Sequence, residues 1–287
     1  MDPTAPKGTA ADQLRAPAMN AAAAPRALRL LQLTDCHLPA APAERVQGLD
    51  TDASLRAVLD QALTRDPAYD LALLTGDLVE QPTPGSYALL SEHLHRLPIP
   101  FLCLPGNHDE ADAMRRYLPN AATAMAPSRS HGNWRILALD STITGRSDGV
   151  LRDEQLALLQ SVIAEDPGAH LLVAVHHHPV PCGSPWMDAM MISNGSALLE
   201  LLQGSGPGSR TIVFGHIHQA FDATVAGVRL LGSPATSCQF EPHTQTFQRA
   251  ALAPGYRWLE LEPSGTLHTG VAYLDQSGPA PAAMQQQ

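Results

Sequence analysis

Five short polar clusters each end an apolar run: Asp35-Cys36-His37, Gly76-Asp77, Gly106-Asn107-His108-Asp109, His176-His177-His178-Pro179 and Gly215-His216-Ile217-His218. Any one alone is ordinary. Gly-Asp after a strand is usually a turn, and a single D-x-H is an accidental surface pair more often than a site. All five in this order, each at the mouth of its own strand, are hard to read as packing. The order fixes both a fold and a chemistry, and the rest of the chain is read around it.

Between the clusters, strands and helices alternate. Leu28 to Leu33, Leu71 to Leu74, Ile99 to Leu104, Trp134 to Leu139, Leu171 to Val175 and Thr211 to Phe214 read as strands. Thr51-Asp52 caps a helix carrying Leu55, Val58, Leu59 and Leu63 at helical spacing. Further helices are expected from Gly85 to Arg96 and from Arg152 to Ala164. From Phe221 onward the chain turns and alternates without helical period, and Pro263-Ser264-Gly265 marks a hairpin. The chain is thus α/β early and β-rich late (α+β in balance). One domain of two packed sheets flanked by helices fits better than a doubly wound sheet. Residues 1–26, rich in Ala and Pro, are expected to form a disordered arm, residues 27–276 a single domain, and residues 277–287 a disordered tail.

Composition narrows the function. The net charge of −10 and the lack of a basic run argue against a nucleic-acid polymer as partner. A small anionic substrate stays open, because bound cations supply local positive charge. No stretch approaches the roughly 20 apolar residues of a spanning helix, so no membrane association is expected. The first residues lack the basic start and apolar core of a signal peptide. Cys36, Cys103, Cys182 and Cys238 form no C-x-x-C pair, and a reduced, cytoplasmic chain is the expectation. No feature of the sequence assigns an oligomeric state.

The donors are of one kind. Strand alternation would turn Asp35 and His37 to one face, and likewise His216 and His218. Gly215 would allow close backbone approach. Asp77 has two carboxylate oxygens and can bridge two cations, and Asn107 offers a neutral oxygen. One histidine of His176, His177 and His178 completes the set, and alternation alone does not choose it. Asp109 is read as the cap of a following helix. Seven groups are too many for one transition metal and suit two that share a bridge. The mixed nitrogen and oxygen set suits iron, manganese or zinc, and is too rich in nitrogen for calcium or magnesium. A metal pair of this kind lowers the pKa of water and aims it at phosphorus, which gives hydrolysis of a phosphate ester. His108, beside Asn107 but free of a ligand role, is the expected proton donor to the leaving oxygen.

On these five blocks the chain resembles the calcineurin-like metallophosphoesterases over about residues 28–275. The resemblance implies a sandwich of two mixed sheets flanked by helices. It implies Asp35, His37, Asp77 and His218 on one metal, and Asp77, Asn107, His177 and His216 on the other. A narrower resemblance rests on His177-His178-Pro179 leading into Pro185-Trp186-Met187-Asp188, on Ser233 to Pro242, and on Ala253 to Leu261. These segments look like the class III 3',5'-cyclic-nucleotide phosphodiesterases that hydrolyse cyclic AMP to 5'-AMP and lower cyclic-AMP signalling. That branch implies iron or manganese, and substrate contacts from His37, Asp77, Asn107, His108 and His218. Met187, Met190, Met191 and Phe240 are candidates to pack a base, although core filling is the commoner role of such residues. Three other readings stay open: a broader phosphodiesterase or phosphomonoesterase acting on glycerophosphodiesters or nucleotides, a non-catalytic scaffold on the same fold, and a nuclease.

Overall fold

Apolar runs without alternation need cover on both faces. The computed structural model, which describes residues 26–65 and 68–274, shows where that cover comes from. In chain order its elements are β1 (Leu28–Leu33), α1 (Thr51–Arg65), β2 (Leu71–Thr75), α2 (Pro84–His95), β3 (Phe101–Leu104), α3 (Ala111–Tyr117), α4 (Ala121–Ala124), β4 (Ser128–His131) and β5 (Trp134–Ala138). There follow α5 (Asp153–Glu165), β6 (His170–Ala174), α6 (Pro185–Asp188), α7 (Gly195–Gln203), β7 (Arg210–Phe214), β8 (Phe221–Val225), β9 (Val228–Gly232), β10 (Gly255–Leu261) and β11 (Leu267–Tyr273). The expected tail lies outside the described residues, as does the expected arm apart from Arg26.

Two mixed sheets result. One has the order β11-β10-β1-β2-β3 and the other β4-β5-β6-β7-β9-β8. β1, β2 and β3 are mutually parallel, as are β5, β6, β7 and β9, while antiparallel strands occupy the flanks. Side chains alternate between two cores. Leu30, Leu73, Leu102, Leu104 and Leu259 from the first sheet meet Trp134, Ile136, Leu172, Val213 and Leu231 from the second. The opposite face of the first sheet packs Leu31, Leu33, Leu74 and Cys103 against Leu55, Val58 and Leu59 of α1 and Tyr87, Leu90 and Leu94 of α2. The opposite face of the second packs Leu171, Val173, Ile212 and Phe214 against Leu159 of α5 and Leu198 and Leu202 of α7. The architecture is therefore helix, sheet, sheet, helix, as apolar runs without alternation require.

Most expected elements appear within two residues of their bounds. α1 starts at Thr51, but its cap is Asp50, whose Oδ1 accepts from the Ala53 amide at 3.0 Å. Asp52 instead pairs with Arg56 at 2.9 Å and with His93 at 2.5 Å, which ties α1 to α2. The Pro263-Ser264-Gly265 turn joins β10 to β11 as expected. The late alternating segment contains the hairpin β8–β9.

The parallel strands β1, β2, β3, β6 and β7 all deliver the chain to one edge of the sandwich. Each of the five clusters begins within two residues of the carboxyl end of one of these strands. Ligands in parallel α/β sheets bind outside that edge. The inter-sheet core therefore fixes where the clusters can meet. Leu73→Ala, in the middle of that core, is expected to cost about 2–5 kcal/mol of unfolding free energy in urea denaturation. A loss under half a kcal/mol would mean that this core does not hold the sheets together.

Candidate metal centre

Strand alternation does not place the site residues, contrary to the sequence expectation. β1 stops at Leu33, β2 at Thr75 and β7 at Phe214, so Asp35, His37, Asp77, His216 and His218 lie beyond the ladders. All five adopt positive φ, at 52°, 46°, 50°, 65° and 48°. This left-handed region is uncommon for residues with a side chain and costs of order 1–3 kcal/mol per residue. Neighbouring groups hold it in place. The Asp35 and His37 amides donate to the Gly76 and Asp77 carbonyls, both at 3.0 Å. Thr51 Oγ1 donates to the His37 carbonyl at 2.8 Å, and Ser237 Oγ to the Asp35 carbonyl at 2.7 Å. The His216 amide donates to the Asp35 carboxylate at 3.0 Å. Two glycines are obligatory for space. A Cβ at Gly106 would collide with the Asp77 amide and Oδ1, and one at Gly215 with the Thr34 and Asp35 side chains.

Three imidazoles are anchored through Nδ1, leaving Nε2 for the centre. His37 Nδ1 donates to Glu80 Oε2 at 2.8 Å. His218 Nδ1 donates to the Cys238 carbonyl at 2.6 Å, and His176 Nδ1 to the Thr75 carbonyl at 2.8 Å. The acceptors fix the tautomer, since a carbonyl can pair only with an N–H. Such outer hydrogen bonds are how proteins orient metal-binding histidines. On the inner side, His218 Nε2 lies 3.3 Å from Asp35 Oδ1 and 3.4 Å from His37 Nε2. His37 Nε2 lies 3.7 Å from Asp77 Oδ2. His176 Nε2 lies 3.3 Å from Asp77 Oδ2 and 3.2 Å from Asn107 Oδ1. Asp77 is thus shared by two donor sets, one with Asp35, His37 and His218, the other with Asn107 and His176. His216 joins the second set, its donor atom within 4.8 Å of those of His176 and His177.

Two rings of the triplet border the centre: the donor atom of His177, the ring expected by resemblance, lies within 4.8 Å of those of His176 and His216. His176, not His177, reaches Asp77 and Asn107. His177 turns Nδ1 to Ser141 Oγ at 2.8 Å. β6 ends at Ala174, so all three histidines lie beyond the strand and their rings are placed by the loop.

The electrostatics fit cations. Asp35 and Asp77 are 0% and 2% exposed. Burial pushes both carboxyls up, but the imidazoles around them outweigh it and hold both below the ordinary carboxylate range. Conversely, burial disfavours charge on His176 and His218, yet Asp77 and Asp35 lift them to about 9 and about 10. Two buried carboxylates facing a ring of imidazoles are a concentrated demand for positive charge. Nε2 of His216 and of His177 is also buried without a hydrogen-bond partner. Nitrogen and oxygen donors in this mixture suit a pair of transition-metal ions.

His108 borders the centre, with a ring nitrogen within 4.8 Å of donor atoms of His37 and Asp77. Its amide donates to Asp77 Oδ1 at 2.8 Å, and its Nδ1 to the Glu80 carbonyl at 2.9 Å. Burial works against its charged form, but the Asp77 carboxylate, the Glu80 carbonyl and the Glu80 carboxylate outweigh it and raise its pKa. Asp109 is not a helix cap; Glu110 occupies that position for α3. Asp109 Oδ2 instead accepts from the Leu78 and Gly106 amides, both at 3.0 Å, and so ties two ligand loops together. Sequence reasoning missed Glu80 and Ser141, which follow no motif of their own. A cavity of about 290 Å³ opens beside the centre, lined on one side by His37, His108 and His218 and on the other by Trp186, Met187, Met190, Phe240 and Phe247. Met191 is not among its lining residues.

Comparison with known proteins agrees with this geometry. The sequence pattern of the calcineurin-like phosphoesterases matches residues 28–220. The 3',5'-cyclic adenosine monophosphate phosphodiesterase CpdA of Pseudomonas aeruginosa is 40% identical over 256 residues, covering 89% of this chain and 93% of that protein. The Escherichia coli (strain K12) protein of the same name is 38% identical over 248 residues, covering 86% and 90%. A 3',5'-cyclic-nucleotide phosphodiesterase of Nostoc sp. is 36% identical over 252 residues, covering 88% and 94%. Among solved structures, a dimetal phosphatase from Danio rerio superposes with a TM-score of 0.61 at 15% identity, over 87% of this chain and 99% of that one, which shows the shared fold. The matched residues and relatives, with five ligand loops gathered at one sandwich edge, show that the chain belongs to the calcineurin-like phosphoesterase family.

Proposed function

We propose that the chain is a dinuclear-metal phosphodiesterase that cleaves the 3' ester bond of 3',5'-cyclic AMP to give 5'-AMP, removing the cyclic nucleotide as a signal. The observation that carries the reading is Asp77, one carboxylate shared by two donor sets. In this reading Asp35, His37, Asp77 and His218 hold one ion, and Asp77, Asn107, His176 and His216 the other. The ions would be iron or manganese, with zinc also compatible with the donors. When bound, they supply Lewis acidity that activates water and neutralises phosphate charge. The names of the relatives support cyclic AMP as substrate. The buried, unpaired state of all four cysteines supports a reducing, cytoplasmic setting, and no described helix is long and apolar enough to cross a membrane.

The chain's own groups then divide the work. His37, Asp77, Asn107, His108 and His218 line the cavity and would meet the phosphate there. A water oxygen attacks phosphorus in line with O3', the P–O3' bond breaks, and O3' needs a proton. His108 is placed to give it. Its Nδ1–H is committed to the Glu80 carbonyl, so the mobile proton sits at Nε2. Glu80 therefore serves twice, through its carbonyl for His108 and its carboxylate for His37.

Metal analysis of the purified protein tests the ligand sets. Wild type is expected to hold two equivalents, Asp77→Ala to lose both, His176→Ala to lose one, and His177→Ala to retain two. Loss of an equivalent in His177→Ala with retention in His176→Ala would reverse the assignment, and a wild type that binds none would make the chain a scaffold. His108→Ala is expected to keep both ions while turnover falls about 10²–10⁴-fold, the usual worth of a positioned proton donor. An unchanged rate would remove His108 from the mechanism. In a kinetic panel, cyclic AMP should exceed glycerophosphodiesters and unrelated nucleotides in kcat/KM; the opposite ranking would replace the nucleotide reading with a broader phosphodiesterase.

A further inference from the structure

The cavity beside the metal centre has two unlike halves. One is the ligand set itself. The other is aromatic and thioether: Trp186, Met187, Met190, Phe240 and Phe247. The halves join at His218, whose ring lies parallel to Phe240, centroids 3.8 Å apart and planes 9° from one another. Phe240 in turn packs against Trp186 at 5.5 Å and Phe247 at 5.2 Å. Phe247 stands nearly perpendicular to both neighbouring rings, at 82° and 87°, and remains 47% exposed. A large aromatic left half wet at the mouth of a site suggests a binding surface rather than core.

This wall is built rather than incidental. Trp186 is held by its indole N–H, which donates to Thr244 Oγ1 at 3.2 Å. Asp188 clamps the turn before α6 by accepting from the Cys182 amide at 2.7 Å. The Thr244 amide donates to Ser184 Oγ at 3.3 Å, which fastens the segment carrying Phe240 and Phe247 to that turn. Within this segment the Glu241 amide donates to the Gln248 carbonyl at 2.8 Å, and the Ala250 amide to the Gln239 carbonyl at 2.9 Å. The two phenylalanines are therefore carried on a closed loop.

The lining also limits what can bind. Among the described residues that line the cavity there is no lysine and no arginine. The described lining itself therefore offers neither to a second phosphate or a carboxylate. What fits is a single phosphate on the centre, joined to a flat, uncharged ring on the aromatic side. We infer that Trp186, Phe240 and Phe247, with Met187 and Met190, form a subsite for the heteroaromatic base of the nucleotide. This rests on the cyclic-nucleotide reading and extends it to the half of the ligand that undergoes no chemistry. The base stacks on the exposed face of Phe247, and binding there places the phosphate beside His218 and His108.

The test compares two substrates in the metal-loaded enzyme: cyclic AMP, and the 3',5'-cyclic phosphate of 1-deoxyribose, which keeps the ring phosphate and lacks the base. Wild type should prefer cyclic AMP, chiefly through KM. Phe247→Ala, at an exposed position, should lower that preference roughly ten-fold, the size of one lost base–aromatic stack. Phe247→Tyr should restore it. Quenching of Trp186 fluorescence by 5'-AMP, stronger than by ribose 5-phosphate, gives a readout independent of turnover. A wild type that hydrolyses both cyclic phosphates equally well, or a Phe247→Ala preference unchanged from wild type, overturns the subsite and leaves the phosphodiesterase reading standing. A wild type that hydrolyses neither overturns that reading, and the subsite with it.

Discussion

One buried carboxylate organises the centre. Asp77 sits at 2% exposure between His176 on one side and His37 on the other. Its second oxygen is occupied by the His108 amide. A charge so placed is costly unless it is paired from several directions, and every surrounding element supplies a partner. β2 delivers it, the loop after β3 caps it, and the loops after β1 and β6 face it. Take this residue away and the two donor sets no longer share a member. The imidazoles of His37 and His176 would then surround an empty position, with nothing to justify their burial.

The price of that convergence is backbone strain, and the fold concentrates it. Five ligand residues lie in the left-handed region. They occur where parallel strands end, because a sharp reversal there turns consecutive side chains toward the neighbouring sheet rather than along the ladder. Interlocking hydrogen bonds between loops keep the reversals closed. Asp35 and His37 lean on the Gly76–Asp77 backbone, His216 leans on Asp35, and Asp109 staples the loops after β2 and β3. No single loop could hold its own conformation. The apolar core between the sheets is what brings them close enough to hold one another.

Much of this was legible in the sequence, for identifiable reasons. The buried strands declared themselves as short apolar runs, and each motif sat where a run stopped. The long helices showed their period; α3 and α6, of seven and four residues, are too short to show one. The donor set was readable because the chemistry of a metal pair restricts residue type. The orientation of the donors was not. Strand alternation pointed to Asp35/His37 and His216/His218, which the structure brings to the centre through loop geometry rather than a strand face, and it made no choice within His176, His177 and His178, where loop conformation decides which ring faces inward. Glu80 was invisible because an outer hydrogen bond to His37 needs only a carboxylate at the right point in space, with no constraint on spacing. Asp109 looked like a cap because it precedes a helix, and its true partners, Leu78 and Gly106, belong to loops that sequence spacing does not bring together.

The two phenylalanines of the cavity wall come from a different stretch of this chain than the metal-donor residues, and His218 is where the two stretches meet. All the proposed metal ligands lie within residues 28–220, the span that matches the family. Phe240 and Phe247 lie beyond it, in the segment between β9 and β10. That segment nevertheless touches the centre, because the Cys238 carbonyl fixes His218 Nδ1 and the Phe240 ring covers the His218 face. Changes at Cys238 or Phe240 therefore reach the metal ligands as well as the cavity wall. Phe247 lies one ring farther out, in ring contact with Phe240 and Trp186. In the proposed subsite, what is attached to the phosphate is therefore met at Phe247, separated from His218 by the ring of Phe240.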